Sequence, residues 1–338
     1  MSQVDRPADP TSSRHSAEYP SSIGNKASQR SSQLWAILEL VRLPNLFTAI
    51  SDPLAGYLLA QGPGWTIRPG ELVGLLASSA CFYAAGVVLN DVNDLPRDRL
   101  YRPERPLPSG RISVRLAWRL GLVLLGVGWG LSAILSVLGA TGWPMALGTV
   151  LAAVILSYDF ALKSTGVGFL LMGACRSLNL FLGVSVGHAA HGHPFEAGAS
   201  WAALALGVYV AGITLFASRE EHNPTRRELV RGLVLIAGAL GMLAILPVFE
   251  SSIEPVATRW PQWVALVVVL GWILGVRGFQ ALRRPSAALV QQFVKQAILW
   301  IIIWDATICF AFAGGQAAIL VLSLLVPAVL LGLRIRLT

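Results

Sequence analysis

The sequence predicts an all-α fold: a polytopic membrane bundle of nine or ten transmembrane helices, built as two parallel four-helix halves around a central cavity. Three observations predict it. Of 338 residues, 54% are hydrophobic and only 13% are charged, whereas soluble domains carry roughly 25% charge. The apolar residues fall into runs that are long enough, or nearly so, to cross about 30 Å of hydrocarbon. Two short strings also recur in the same order, which is the mark of an internal repeat.

Residues 1–33 are rich in Ser, with scattered Arg, Asp and Pro and almost no large apolar side chains. They are expected to form a disordered cytoplasmic tail, since such a composition cannot bury a core. Without an apolar h-region the tail does not read as a secretory signal. The membrane domain is then residues 34–338. Its spans are expected near 34–60, 70–92, 114–138, 143–161, 166–188, 199–217, 230–249, 261–280, 290–313 and 316–334. Only Gly314-Gly315 separates the last two, which leaves nine or ten helices open.

Charge placement gives an expected orientation. Arg97 to Arg119, Lys163, the cluster Arg219/Arg226/Arg227/Arg231, and Arg277/Arg283/Arg284/Lys295 follow even-numbered spans, while loops after odd-numbered spans hold only Arg68 and Arg259. By the positive-inside rule the even loops and both termini are cytoplasmic in a multi-pass protein of the cell membrane. The net charge of +8 is thereby a topology signal, and no nucleic-acid partner is expected. Cys81, Cys175 and Cys309 lie in apolar runs without metal-thiolate spacing and are expected to be packing residues. His188, His191 and His193 sit in a loop on the far side and are not expected to hold a metal. Gly126, Gly128 and Gly130 in the third span are expected to pack closely against a neighbour.

The repeat pairs Tyr83-Ala-Ala-Gly86 with Tyr209-Val-Ala-Gly212, and Arg42-Leu-Pro-Asn45-Leu-Phe47 with Arg176-Ser-Leu-Asn179-Leu-Phe181. Spans one and two therefore correspond to five and six. At the end of span two stand Asn90, Asp91, Asp94 and Asp98. On a continuous helix, residues three, four and seven apart share a face, so the three carboxylates would point together. Converging carboxylates at a membrane boundary repel unless a cation lies between them, and Mg²⁺ takes oxygen ligands shared with substrate phosphates. The plainer reading is a solvated loop of mixed charge. The repeat sets Asp94 opposite Glu220 but Asp91 and Asp98 opposite Ala217 and Pro224. The second half thus keeps an acidic pole, Glu220 and Glu221, without three spaced ligands. Tyr158 and Lys163, after span four, would suit a phosphate as donor and point charge. Arg42, Asn45, Asp52, Arg176, Asn179 and Asp305 are polar exceptions within spans, where such residues usually face a cavity or a partner. For Asn45 and Asn179 a hydrogen bond between helices competes with a ligand contact.

Asn90-Asp91-x-x-Asp94-x-x-x-Asp98 followed by Arg105-Pro-Leu-Pro-Ser-Gly110 resembles the first signature of the UbiA superfamily of intramembrane prenyltransferases, over roughly residues 34–313. The resemblance implies a helical bundle around a cavity, with Mg²⁺-bound diphosphate at its cytoplasmic mouth and an isoprenoid tail in the bilayer. Asp91, Asp94 and Asp98 would hold the metal, Lys163 and Tyr158 would contact the diphosphate, and Asn90 would belong to the same motif. The family's second motif departs here, with only Glu220 in a matching position and Glu221 beside it. The Ser218-Arg219-Glu220-Glu221 pattern looks like a divergent, EboC-like subgroup.

The resemblance implies a prenyltransferase that moves an isoprenyl chain from a polyprenyl diphosphate to a small aromatic or lipophilic acceptor. Asp91, Asp94, Asp98, Lys163 and Glu220 would be catalytic, Glu220 as a further metal ligand. Arg42, Asn45, Arg102, Arg105, Asn179, Arg219 and Glu221 would complete the substrate site. Two rival readings stand beside it. One is a non-catalytic descendant that binds or transports an isoprenoid or another lipophilic metabolite. The other, a CDP-alcohol phosphotransferase, needs an opening Asp-Gly-x-x-Ala-Arg that this chain lacks.

Overall fold

The computed structural model describes residues 33–188, 193–218, 225–249 and 260–334, and among these the chain is helical with no strand. Helix α1 (Gln33–Leu40) and α2 (Leu43–Gln61) form the first span, bent by 44° where they meet. Next come α3 (Pro69–Asn93), the short α4 (Leu95–Tyr101), α5 (Val114–Leu138) and α6 (Trp143–Ser157), which runs on through a π turn at Tyr158–Leu162. The second half is α7 (Gly168–Gly187), α8 (Ala197–Ala217), α9 (Arg226–Ala244) and α10 (Trp260–Arg283). Helix α11 (Ala287–Phe312) and the broken pair α12 (Gly315–Leu322) and α13 (Leu325–Arg334) close the chain. Nine segments among the described residues are long and apolar enough to cross a membrane, and the bent α1–α2 pair makes a tenth. The tail expected at residues 1–33 lies outside the described residues except for Gln33, which opens α1.

Local chemistry sets the ends of these helices. Helices α2, α3 and α6 each carry a proline in the first turn, where the missing N–H forfeits no helical hydrogen bond. The kink between α1 and α2 sits at Arg42, whose backbone is left-handed at φ 49, ψ 55. A side chain with a Cβ is strained there. The strained turn aims the Arg42 guanidinium at Asp91 of α3, with Nη2 donating to Oδ1 at 2.9 Å.

Helix α2 is the axis of the molecule, packed chiefly on α7 and α11. Pro53 lies inside it and cannot donate to the carbonyl of Ala49, one turn back. That carbonyl instead accepts from Asn179 Nδ2 of α7 at 2.6 Å and from Ser79 Oγ of α3 at 3.0 Å. The break in one ladder thus ties three helices together. Around it lies a buried polar knot. Arg176 Nη1 donates to Asp52 Oδ2 at 2.9 Å and to the Thr48 carbonyl at 2.6 Å, and Asn179 Nδ2 also reaches Asp52 Oδ2 at 3.1 Å. Ser51 Oγ lies 2.5 Å from Asp305 Oδ2, which brings α11 into the same network. Asp52 and Asp305 are fully buried.

The α2–α7 contact depends on glycine. A Cβ on Gly183 would run into the Pro53 backbone, and one on Gly56 into the Leu180 carbonyl. Without a hydrophobic driving force between helices in lipid, close backbone approach is what stabilises such a pair. The third-span glycines are a partial correction. Gly128 packs on Ser78 and Phe82, but a Cβ at Gly126 or Gly130 would meet nothing within 4 Å. Among the described residues these two have no helix packed against them. Gly183→Ala is therefore expected to cost about 1–3 kcal/mol, read as a lower melting temperature in detergent, whereas Gly126→Ala leaves it unchanged. Equal melting of the two variants would contradict the packing described.

Candidate active site

Both halves and α11 surround a cavity of about 1390 Å³. Its inner wall is apolar, with Val210 and Ile213 from α8, Val234 from α9, and Val294, Ile298 and Ile301 from α11. Its mouth is charged, lined by Asp94, Asp98, Arg97, Arg102, Arg105 and Lys163. Of the expected acids and bases, Asp94, Asp98, Arg102, Arg105 and Lys163 share this place. Asn90, Asn45, Arg42 and Tyr158 line the same cavity.

The three carboxylates expected to point together are divided between two basic partners, Arg105 for Asp91 and Asp98 and Lys163 for Asp94. Helix α3 ends at Asn93 and α4 begins at Leu95, so Asp94 stands at a junction, through which the helical bonds continue from Asp94 N to the Asn90 carbonyl and from Asp98 N to the Asp94 carbonyl, each at 2.9 Å. Asp94 binds Lys163 Nζ, which also donates to Asn90 Oδ1 at 2.7 Å. Arg105 Nη1 donates to Asp98 Oδ2 at 2.8 Å and lies 3.8 Å from Asp91 Oδ1. Asp91 is held from the other side by Arg42 and does not line the cavity. The cations that hold these acids apart are thus the protein's own. Among the described residues no group of three His, Cys, Asp or Glu side chains converges on a metal position.

Mg²⁺ nevertheless fits the donors at the mouth. It is usually bound through one or two carboxylates, with substrate phosphates and water completing the octahedron. Asp94 and Asp98 both line the mouth, and every acidic donor there is a hard oxygen, as this ion requires.

Asn179 does not line the cavity. Its amide nitrogen is bonded to Ala49 and Asp52, so the hydrogen bond between helices prevails over the expected substrate contact. Arg219, Glu220 and Glu221 lie outside the described residues, and with them the acidic pole of the second half and the pattern that suggested the EboC-like subgroup. Several polar cavity residues fall outside the expected site, among them Tyr83, Arg176 and Asp159. Signals for them existed. Tyr83 and Arg176 stand in the repeated strings, and Asp159 follows Tyr158 directly. Arg176 does not copy its repeat partner Arg42, because Asp91 corresponds to Ala217 and Arg176 pairs with Asp52 of α2 instead.

Outside the spans, Arg111 latches the loop after α4 onto α1 through two hydrogen bonds to Glu39, at 2.6 and 3.0 Å. Those bonds hold its guanidinium pKa above the ordinary value.

Comparison with known proteins adds to this geometry. The model of the UbiA prenyltransferase family matches residues 53–293. The digeranylgeranylglyceryl phosphate synthase of Metallosphaera sedula is 37% identical over 147 residues, covering 43% of this chain and 49% of that protein. The synthase of the same name from Methanopyrus kandleri is 28% identical over 263 residues, 75% of this chain and 86% of its own length. The chain thus spans about half the length of several curated relatives it matches and most of another. A solved UbiA homolog from Archaeoglobus fulgidus bound to GPP and Mg²⁺ superposes with a TM-score of 0.59 at 16% identity, covering 85% of this chain and 99% of that one. At that identity the likeness is one of fold.

Proposed function

Because the chain belongs to the UbiA prenyltransferase family, we propose that it transfers an isoprenyl chain from a polyprenyl diphosphate to a lipophilic acceptor, with Mg²⁺ at the mouth of the cavity. One observation carries this reading: carboxylates and basic side chains meet at the open end of a cavity of about 1390 Å³ that is walled by apolar side chains of α8, α9 and α11. The positive-inside pattern supports a mouth that faces the cytoplasm.

In this account Asp94 and Asp98 hold the metal, and Asp91 acts from behind by fixing Arg42 and Arg105. Glu220, set opposite Asp94 by the repeat, is the candidate carboxylate of the second half, with Arg219 and Glu221 beside it. Bound Mg²⁺ supplies positive charge to the diphosphate as a Lewis acid. Lys163, Arg102 and Arg105 add donors where negative charge grows on the leaving oxygens. The allylic C–O bond breaks with its electron pair going to diphosphate. The apolar wall of α8, α9 and α11 keeps water from the cation left on the chain. A lone pair on the acceptor then forms the new bond, and the acceptor's proton leaves with the diphosphate.

The relatives are named for a product that carries two geranylgeranyl groups on glyceryl phosphate. Arg42, Asn45, Tyr83 and Arg176 line one polar side of the cavity, which suits an acceptor bearing hydroxyl or phosphate oxygens. A glyceryl phosphate lipid is thus the first candidate and an aromatic acceptor the second.

Protein reconstituted in vesicles with Mg²⁺ and a radiolabelled polyprenyl diphosphate should convert label into a lipid when offered one of these acceptors. Diphosphate that binds but is recovered intact with every acceptor would favour a binding or transport protein instead.

A further inference from the structure

We propose that Asp159 is an additional cation ligand of this diphosphate site, contributed by the π turn rather than by the Asn90–Asp98 stretch. The inference rests on the function proposed above and names a residue that neither the signature nor the repeat marks.

The π turn at Tyr158–Leu162 is fixed from two sides. Asn93 Nδ2 donates to the Asp159 carbonyl at 2.7 Å, and the Phe160 ring stacks on Trp118 of α5 with centroids 5.5 Å apart and planes 7° from parallel. The turn closes through Lys163 N donating to the Tyr158 carbonyl at 3.0 Å. One residue more than an α turn fits into such a widening, which re-aims the side chains within it and recurs at functional sites. Here it sets Lys163 on Asn90 and Asp94 while placing Asp159 in the wall of the cavity.

Asp159 is 2% exposed, and its Oδ2 has no hydrogen-bond partner. Buried carboxylates are ordinarily paired or bound to metal. The neighbouring acids obey that rule: Asp91 has Arg42, Asp98 has Arg105 and Asp94 has Lys163. Asp159 has no ion pair among the described residues. Lys163, Asp94 and Asp91 all lie near enough to act on it electrostatically, but the Lys163 ammonium is engaged by Asn90 and Asp94. Arg97 and Arg102 also line the mouth and have partners of their own. One buried carboxyl group in the wall of this cavity therefore has no positive partner among the described residues. A ligand from the π turn would let the protein hold a divalent cation from a second element while Asp94 holds it from the α3–α4 junction.

The test is Mn²⁺ binding, followed by electron paramagnetic resonance of the full-length protein in nanodiscs with inorganic diphosphate present. Asp159→Asn keeps the side-chain shape and is expected to weaken Mn²⁺ binding on the order of 10- to 100-fold. Asp159→Glu, which keeps the charge, should recover part of it, and Asp94→Asn should also bind weakly. Gel filtration and melting temperature confirm that each variant is folded. Wild-type affinity in Asp159→Asn alongside loss in Asp94→Asn would overturn the role of Asp159 and leave the proposed function standing. Absence of Mn²⁺ binding by the wild type would overturn both.

Discussion

Asp94→Asn is expected to lower prenyl transfer by on the order of 10²- to 10³-fold, a loss typical when one group that stabilises developing charge is removed. The protein should remain folded. Asp94 is 19% exposed in its side chain and sits at a helix junction, so an amide of the same size leaves the backbone bonds intact. Lys163 keeps its contact with Asn90 Oδ1 and is not stranded. Asp91→Ala is a poorer probe, since it would leave Arg42 and the buried Arg105 without a shared carboxylate. Turnover of the substrate by Asp94→Asn at the wild-type rate would remove Asp94 from the machinery.

The second large effect lies in the polar knot. Asp52→Ala leaves the Arg176 guanidinium, mostly enclosed at the cavity wall, without its fully buried carboxylate. Breaking a buried pair on one side costs about 3–5 kcal/mol, whereas removing both charges together is often close to neutral. Asp52→Ala should thus melt well below the wild type, and Asp52→Ala combined with Arg176→Met should recover much of the difference. A double-mutant cycle separates the pair from its surroundings. If the double variant is no more stable than Asp52→Ala, the pair is not what that mutation disrupts.

Much of the fold was legible because a span announces itself by length and apolar content, and each expected span lies within a few residues of an observed one. What joins the spans was harder to read. Periodicity reports which residues share a face of one helix but not what faces them. Gly183 and Gly56 gave no local sign of their fit against Pro53 and Leu180, while Gly126 and Gly130 looked like packing residues without being so. Asn179 carried equal weight as ligand and as tie, and only the carbonyl freed by Pro53 decides between them. At the mouth, the motif singled out Asp94 and Asp98, which line it, and Asp91, which stands behind it on Arg42. The kink at Arg42 is a backbone event that redirects a side chain by more than residue spacing can express. Asp159 was adjacent to a residue already singled out, yet its missing partner is a property of three-dimensional neighbours alone.

The central claim is that the charged mouth releases diphosphate as the chain is transferred. Its most direct test is the stoichiometry of a single reaction in vesicles, measured with and without Mg²⁺. The account predicts one diphosphate freed for each prenylated lipid formed, only with Mg²⁺ present. Lipid product formed without Mg²⁺, or diphosphate freed with no lipid product from any acceptor, would contradict it.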